Sequence, residues 1–264
     1  MKVILGIILI FVLKPLVFGN KVRHSKNWHL VWVDTFSNDG NPDTSKWSFI
    51  SPKGGGCYRY MTNSNKDTYI KDGKLILRAA VNTDPKDTVK YTTGGVHSRG
   101  KFSFHQGKIE VRAKLGAGKG SWPAIWLLPE QDQPLYGEID IMEHLNHDSL
   151  FYQTIHTHYS LRLGFKDNPP NFTTATFKIG QFNVFGLEWY NDRLDLTING
   201  KRTFTYPKIE TDKIGQWTFD KPFYIILNQA LGGWAGIIAP KELPLQMEVD
   251  WVKVYQNMEE LTKN

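Results

Sequence analysis

Glu138, Asp140 and Glu143 place three carboxylates in the stretch Gly137-Glu138-Ile139-Asp140-Ile141-Met142-Glu143, whose other members are mostly strand-forming apolar residues. Neighbouring carboxylates repel and raise one another's pKa, so crowding them is costly. In a strand, alternate side chains share a face. Glu138 and Asp140 therefore point the same way, while strict alternation sends Glu143 to the other face. One β-bulge between Ile141 and Met142 returns Glu143 to the side of its partners. With one residue absorbed by the bulge, the glutamate Cα atoms stand roughly 13 Å apart at ~3.3 Å per residue. Side chains leaning inward from there bring the carboxyls to about 5–6 Å, which suits double displacement at an anomeric carbon by one nucleophile and one acid/base. The competing reading of Glu-x-Asp is the solvated face of a half-buried sheet.

The flanking residues favour chemistry. Ser121-Trp122-Pro123-Ala124-Ile125-Trp126 precedes the acids, and the chain carries nine tryptophans. Trp122, Ala124 and Trp126 share one strand face, and flat aromatic rings suit the C–H faces of sugars. Trp122, Trp126 and Trp234 are the stacking candidates, each with core packing as its alternative, and Trp189 reads as packing. Tyr136, just before the acids, is a further lining candidate. Cys57 is the only cysteine, which excludes an internal disulfide and fits a bacterial exported protein. As a nucleophile it lacks a paired base nearby in sequence.

At 264 residues the chain is long enough for one large β-sandwich domain, expected over residues 20–264. Lys2 followed by the apolar run Val3–Leu13, with Val17-Phe18-Gly19 as a cleavage site, reads as a signal peptide over residues 1–19, too short to span a bilayer. Export to the periplasm, cell surface or medium follows. Removing Lys2 and Lys14 with that leader lowers the formal charge from +6 to about +4, and no basic run points to nucleic acid. A mildly positive surface tolerates anionic glycans.

Short alternating segments separated by turn signals, without long amphipathic helices, point to an all-β antiparallel sandwich. Strands are expected at Trp28–Phe36, Thr68–Ile70, Lys74–Ala80, Gly95–Phe104, Gly107–Lys114, Ser121–Leu128, Glu138–His144 and Phe151–Tyr159. Five more are expected at Asn183–Tyr190, Arg193–Ile198, Lys201–Thr205, Phe223–Gln229 and Gln246–Tyr255. Asp72-Gly73 and Asn199-Gly200 read as hairpin turns. A concave face is needed if the acids are to meet a polymer. Asn171-Phe172-Thr173 matches a glycosylation sequon.

These segments resemble the family 16 glycoside hydrolases over nearly the full mature chain. The resemblance is carried by Leu30–Phe36, Asp72–Leu77, Ser98–Phe102, Gly107–Lys114, the Trp-Pro-Ala-Ile-Trp segment, the acid motif, Leu227–Trp234 and Val249–Tyr255. The extra residue in the acid motif resembles the bulged branch that holds laminarinases, agarases and gut-bacterial endo-β-1,4-galactosidases. The resemblance implies a curved jelly roll with an open concave cleft, and retaining cleavage within β-linked polysaccharides by a monomer without a catalytic cofactor. It also implies Glu138 as nucleophile, Glu143 as acid/base, and Asp140 as a protonated or hydrogen-bonded partner of Glu138.

By the same resemblance Arg99 lies near the negative subsites, Asn228 faces the cleft and His156 stands near the acid/base. His158 is read as structural or as a cleft residue, and a His156–His158 zinc site lacks an evident third ligand. Relatives hold a structural calcium, for which Asp250 and the Gly73 carbonyl match. Thr35 stands where they carry a glutamate. The Tyr58-Arg59-Tyr60 loop also departs from laminarinases, and the expected substrate is poly-N-acetyllactosamine in mucin O-glycans or keratan, with β-1,3-glucan as the alternative. A transglycosylase shares the same chemistry. A non-catalytic carbohydrate-binding jelly roll is the rival from another class.

Overall fold

Alternation of apolar and polar residues sets the architecture, as in Gly107–Lys114. There Ile109, Val111 and Ala113 are fully buried while Lys108, Glu110, Arg112 and Lys114 face outward. The outward set pairs along the sheet, with Lys108–Glu110 at 2.6 Å and Lys114–Glu248 at 2.7 Å. A computed structural model describes residues 27–257, and the leader read over residues 1–19 lies outside them. No helix among the described residues is long and apolar enough to cross a membrane.

In chain order the strands are β1 (Trp28–Asp34), β2 (Ser48–Phe49), β3 (Thr68–Lys71), β4 (Lys74–Val81), β5 (Tyr91–Thr93) and β6 (Gly95–His97). Next come β7 (Ser103–Phe104), β8 (Gly107–Lys114), β9 (Ser121–Pro129), β10 (Gly137–Glu143) and β11 (Leu150–Thr157), then the short helix α1 (His158–Leu161). The last six are β12 (Phe172–Thr176), β13 (Asn183–Trp189), β14 (Arg193–Ile198), β15 (Lys201–Pro207), β16 (Phe223–Leu231) and β17 (Leu245–Asn257).

They form two antiparallel sheets. One runs β15-β14-β13-β8-β17-β4-β3, with β1 on β17 and β5 on β4. The other runs β12-β11-β10-β9-β16-β6-β2, with β7 on β16. The main core lies between them and includes Ile125 and Leu127 of β9, Phe223, Ile225 and Leu227 of β16, and Trp189 of β13. Trp189 is therefore packing, as expected. The opposite face of β9 and β16 carries Ala124, Trp126, Tyr224 and Ile226. These form a smaller apolar cluster under Ile50, Cys57, Tyr58 and Met61. The strands buried on both faces are thus the ones that carry a covering loop.

Several boundaries differ from expectation. Gly95–Phe104 is broken into β6 and β7 by a turn in which the amides of Lys101 and Phe102 donate to the Ser98 carbonyl at 3.0 and 2.9 Å. Gly100 takes the left-handed φ of +74° that the turn requires. β11 stops at Thr157 rather than Tyr159, because Thr157 and Ser160 exchange side-chain and backbone hydrogen bonds that start α1. The Asn171-Phe172-Thr173 triplet is a chance match of the kind frequent in sequences, and Asn171 is 6% exposed with its amide donating to the Ile155 carbonyl at 3.1 Å.

The expected bulge is present. Asp140 stands opposite Trp126 and Glu143 opposite Ala124, so three residues on β10 span what two cover on β9. The β11 register repeats this: Glu138, Asp140 and Glu143 face His156, Thr154 and Tyr152. Ile141 and Met142, consecutive in sequence, both enter the main core. Met142→Ala is accordingly expected to destabilise the protein by about 2–5 kcal/mol in urea unfolding. A strand without the bulge would turn Met142 outward and predicts a change within about 0.5 kcal/mol.

Candidate active site

Because the bulge keeps Glu138, Asp140 and Glu143 on the outward face of β10, they border a groove made of three adjoining depressions. The largest, about 750 Å³, lies toward β11 and β12 and is bordered by Glu138, Glu143, His156, Trp234, Phe172 and Lys166. The middle one, about 270 Å³, holds all three acids with Cys57, Trp126 and Asn228. The third, about 320 Å³, is lined by Lys53, Tyr58, Arg99 and Tyr224 among others. Tyr136 borders all three.

Each acid has a different environment. Glu143 is 9% exposed and accepts a 2.9 Å hydrogen bond from Trp122 Nε1. Burial pushes its pKa up to about 7, the Trp122 bond pulls the other way, and the charge of Glu138 adds to the rise. Asp140 is 2% exposed. Burial, then the charges of Glu138 and Glu143, hold it well above the usual carboxylate range, which favours its protonated form. Glu138 is half-buried and accepts a hydrogen bond from the Tyr136 hydroxyl.

His156 Nε2 lies 3.4 Å from Asp140 Oδ2. Burial lowers the histidine pKa against the opposing charge of Glu138. The lowered His156 pKa and the raised Asp140 pKa both act against an ion pair here, and Asp140 Oδ2 makes no hydrogen bond among the described residues. One donor atom each from Glu138, Asp140 and His156 falls within 4.8 Å of the others. His158, in contrast, opens α1 and lies with its Cβ against Gly215, where an added Cβ would approach to 2.6 Å. His156 thus lies with Glu138 and Asp140 while His158 packs against Gly215, so the alternation that paired the two histidines ends with β11 at Thr157.

The aromatic candidates divide. Trp122 and the half-exposed Trp234 meet edge to face at 6.1 Å, and Trp234 tilts against Tyr152 at 5.0 Å. Tyr152 in turn stacks on Phe172 at 6.0 Å, completing a ring series that leads away from Glu143. Gly233 permits the first contact: its φ is +56°, and a Cβ there would sit 2.7 Å from the Trp122 ring. Trp126 does not form an open platform. It is 7% exposed, donates to Asn228 Oδ1 at 2.7 Å and lies under Tyr58, so Trp126 and Asn228 form the floor of the middle depression. Arg99 borders the third depression, over the Tyr224 ring and 3.2 Å from Asp132.

Thr154, Tyr152, Phe172 and Lys166 were missed from sequence. Thr154 and Tyr152 were within reach, since counting back from His156 by twos along β11 gives both. Phe172 and Lys166 had no comparable signal, because their segment shows no strand alternation. Cys57 lines the middle depression, but burial and the charge of Glu138 push its thiol up to about 12, which leaves it inert.

The donors matched to calcium fit it poorly. Asp250 is bonded to the Arg112 guanidinium, and Thr35 contributes no carboxylate where relatives have one. Calcium takes six to eight oxygen ligands.

The sequence profile of Glycosyl hydrolases family 16 matches residues 58–253. The keratan-sulfate endo-1,4-beta-galactosidase of Sphingobacterium multivorum is 38% identical over 240 residues, covering 87% of this chain and 56% of that enzyme. The present chain thus spans just over half the length of that relative. The crystal structure of a non-specific endo-beta-1,3(4)-glucanase is similar with a TM-score of 0.79 and 30% identity, covering 88% of this chain and 92% of that one. Another solved structure, described under the statement that members of the human gut microbiota express endo-acting O-glycanases to initiate mucin breakdown, gives a TM-score of 0.74 at 31% identity. It covers 86% of this chain and 98% of that one.

Two outcomes follow from the electrostatics. Each raised carboxyl contributes stability that is present below its unfolded value, 4.5 for Glu143 and 3.8 for Asp140, and is lost as pH rises, for Glu143 through about 7. Asp140→Asn is therefore expected to raise Tm above pH 7 more than below pH 4, as read by thermal scans at both pH values. Chelation with EDTA is expected to leave the wild-type Tm within about 1 °C, since a bound ion at several times its Kd would shift it by several degrees.

Proposed function

The chain belongs to glycosyl hydrolases family 16, and from that premise we propose that it is a retaining endo-β-glycosidase. Glu138 is the nucleophile and Glu143 the acid/base. The observation that carries the division of labour is the contrast between the two glutamates. Glu143 is desolvated and titrates near 7, so it holds a transferable proton at neutral pH, whereas Glu138 is half-buried on the same wall.

In the first step a Glu138 carboxylate oxygen bonds to the anomeric carbon as the glycosidic C–O bond breaks. The departing oxygen takes the Glu143 proton. In the second step Glu143, now a carboxylate, takes a proton from water while the water oxygen displaces Glu138 from the anomeric carbon. Both glutamates return to their starting states. Asp140 stays neutral beside Glu138 and limits the negative charge gathered at the reacting centre. An open groove of several depressions suits internal cleavage of a polymer. By the family resemblance the third depression, which contains Arg99, takes the sugars on the nucleophile side. The large chamber then takes the leaving side, along the ring series from Trp122 to Phe172.

For the substrate we favour β-1,4-galactosyl linkages in poly-N-acetyllactosamine, as in keratan or mucin O-glycans. The similarity to the Sphingobacterium enzyme supports this, and so does Lys53 at the end of the groove where Arg99 is paired with Asp132. The likeness to the β-1,3(4)-glucanase supports β-1,3-glucan as the second reading. Incubation with keratan sulfate, mucin, agarose, mixed-linkage glucan and laminarin, followed by oligosaccharide identification, distinguishes them. Release from keratan sulfate or mucin is expected, and release from laminarin alone overturns the galactoside choice.

Glu138→Gln and Glu143→Gln are each expected to abolish nearly all turnover, by at least about 10³-fold on an unactivated glycan, while glycan binding persists. A carbohydrate-binding jelly roll without activity would show no turnover in the wild type. The wild-type kcat/KM should fall as pH rises through about 7, where Glu143 loses its proton. Trp122→Phe, which removes the bond that favours the carboxylate, should move that limb to higher pH.

A further inference from the structure

We propose that Tyr136 is a positioning residue for the nucleophile, its phenol holding one carboxylate oxygen of Glu138 and leaving the other to attack. This rests on the assignment of Glu138 above and goes beyond a lining role for Tyr136.

The geometry begins with sequence spacing. Tyr136 lies two residues before Glu138, so in an extended segment both side chains leave the same face. The Tyr136 hydroxyl donates to Glu138 Oε2. The backbone that carries the ring is held on two sides. The His158 amide, at the start of the capped helix α1, donates to the Tyr136 carbonyl at 2.9 Å. The next residue, Gly137, passes so close to Thr218 that an added Cβ would stand 2.6 Å from its hydroxyl oxygen. Tyr136 lies just outside β10, and these two backbone restraints hold its phenol within reach of Glu138.

The surroundings explain why a neutral donor is useful. Glu138 is faced by Asp140 and Glu143 on β10, His156 on β11, Cys57 and Tyr58 in the covering loop, and Tyr224 on β16. Near neutral pH none of these brings a positive charge against it. Lys166 borders the same depression, but the hydrogen-bond donor in contact with the carboxylate is Tyr136, and a donor to an ionised acceptor is stronger than one between neutral groups. Burial and the charge of Glu138 raise the phenol pKa, so Tyr136 remains a donor throughout the working range. In glycosylation the bond holds one carboxylate oxygen of Glu138 in place and leaves the other aimed at the anomeric carbon. In deglycosylation the carboxylate leaves the anomeric carbon into the same bond, with no proton transferred from tyrosine.

Tyr136→Phe keeps the ring and removes the donor. The expected result is a kcat lower by about 10- to 100-fold, with KM changed less than about threefold and Tm unchanged. The acid limb of kcat/KM should move up by about one pH unit. Replacing Tyr136 with 3,5-difluorotyrosine, a more acidic donor of nearly the same size, should move that limb down, and this second probe preserves the packing should the phenylalanine variant misfold. A wild-type acid limb in either folded protein overturns the proposal. If Glu138→Gln is dead while Tyr136→Phe behaves as wild type, only this inference fails. Turnover by Glu138→Gln would instead overturn the nucleophile assignment.

Discussion

Burial of Ile139, Ile141 and Met142 between the two sheets turns the acids of β10 outward together. A regular strand can bury only every second residue, and satisfying Ile139 and Ile141 would then expose Met142 and bury Glu143. The bulge lets two consecutive side chains enter the core. Fully burying a methionine contributes about 1.5–3 kcal/mol, and an unpaired glutamate in the core would cost several kcal/mol more. Core packing therefore enforces the spacing that the chemistry needs, and the groove inherits its rigidity from the sandwich beneath it.

The second consequence is electrostatic. Three acids on one wall, under a covering loop, cannot all ionise. Depth sorts them: Asp140 at 2% exposure holds its proton, Glu143 titrates near 7, and Glu138 lies nearest solvent. Trp122 restrains the rise of Glu143, which keeps that group close to the pH at which it must both give and take a proton. The same tryptophan begins the ring series toward Phe172, so proton control and sugar stacking meet in one side chain.

Much of this was readable along the chain, because alternation reports directly on a two-layer sheet. β8 and β14 match their expected limits, and the bulge followed from acid spacing alone. Edge pieces such as β2, β5 and β12 were not readable. They are two to five residues long; β2 pairs with the distant β6, and β5 and β12 pair with the strands just before them through loops rather than tight turns. For the site, the three acids, His156, Tyr136, Trp122 and Trp234 come together at the groove. Trp126 looked like a platform because its face was right, but the loop with Tyr58 that covers it is a tertiary feature. Lys166 and Phe172 reach the chamber only through the fold of the segment after α1, which no periodicity announces. Asp250 matched a calcium donor in sequence, yet its partner Arg112 lies 138 residues away.

A strand kink that sets Glu138 and Glu143 on one wall of the groove, as nucleophile and acid/base, makes a specific statement about stereochemistry. The measurement is proton NMR of the anomeric signals during the first minutes of cleavage of a β-linked oligosaccharide, before mutarotation mixes them. The account predicts that the newly formed reducing end appears as the β-anomer and drifts toward equilibrium. First appearance of the α-anomer would mean that water attacks directly across a wider gap, and it would contradict the covalent role of Glu138.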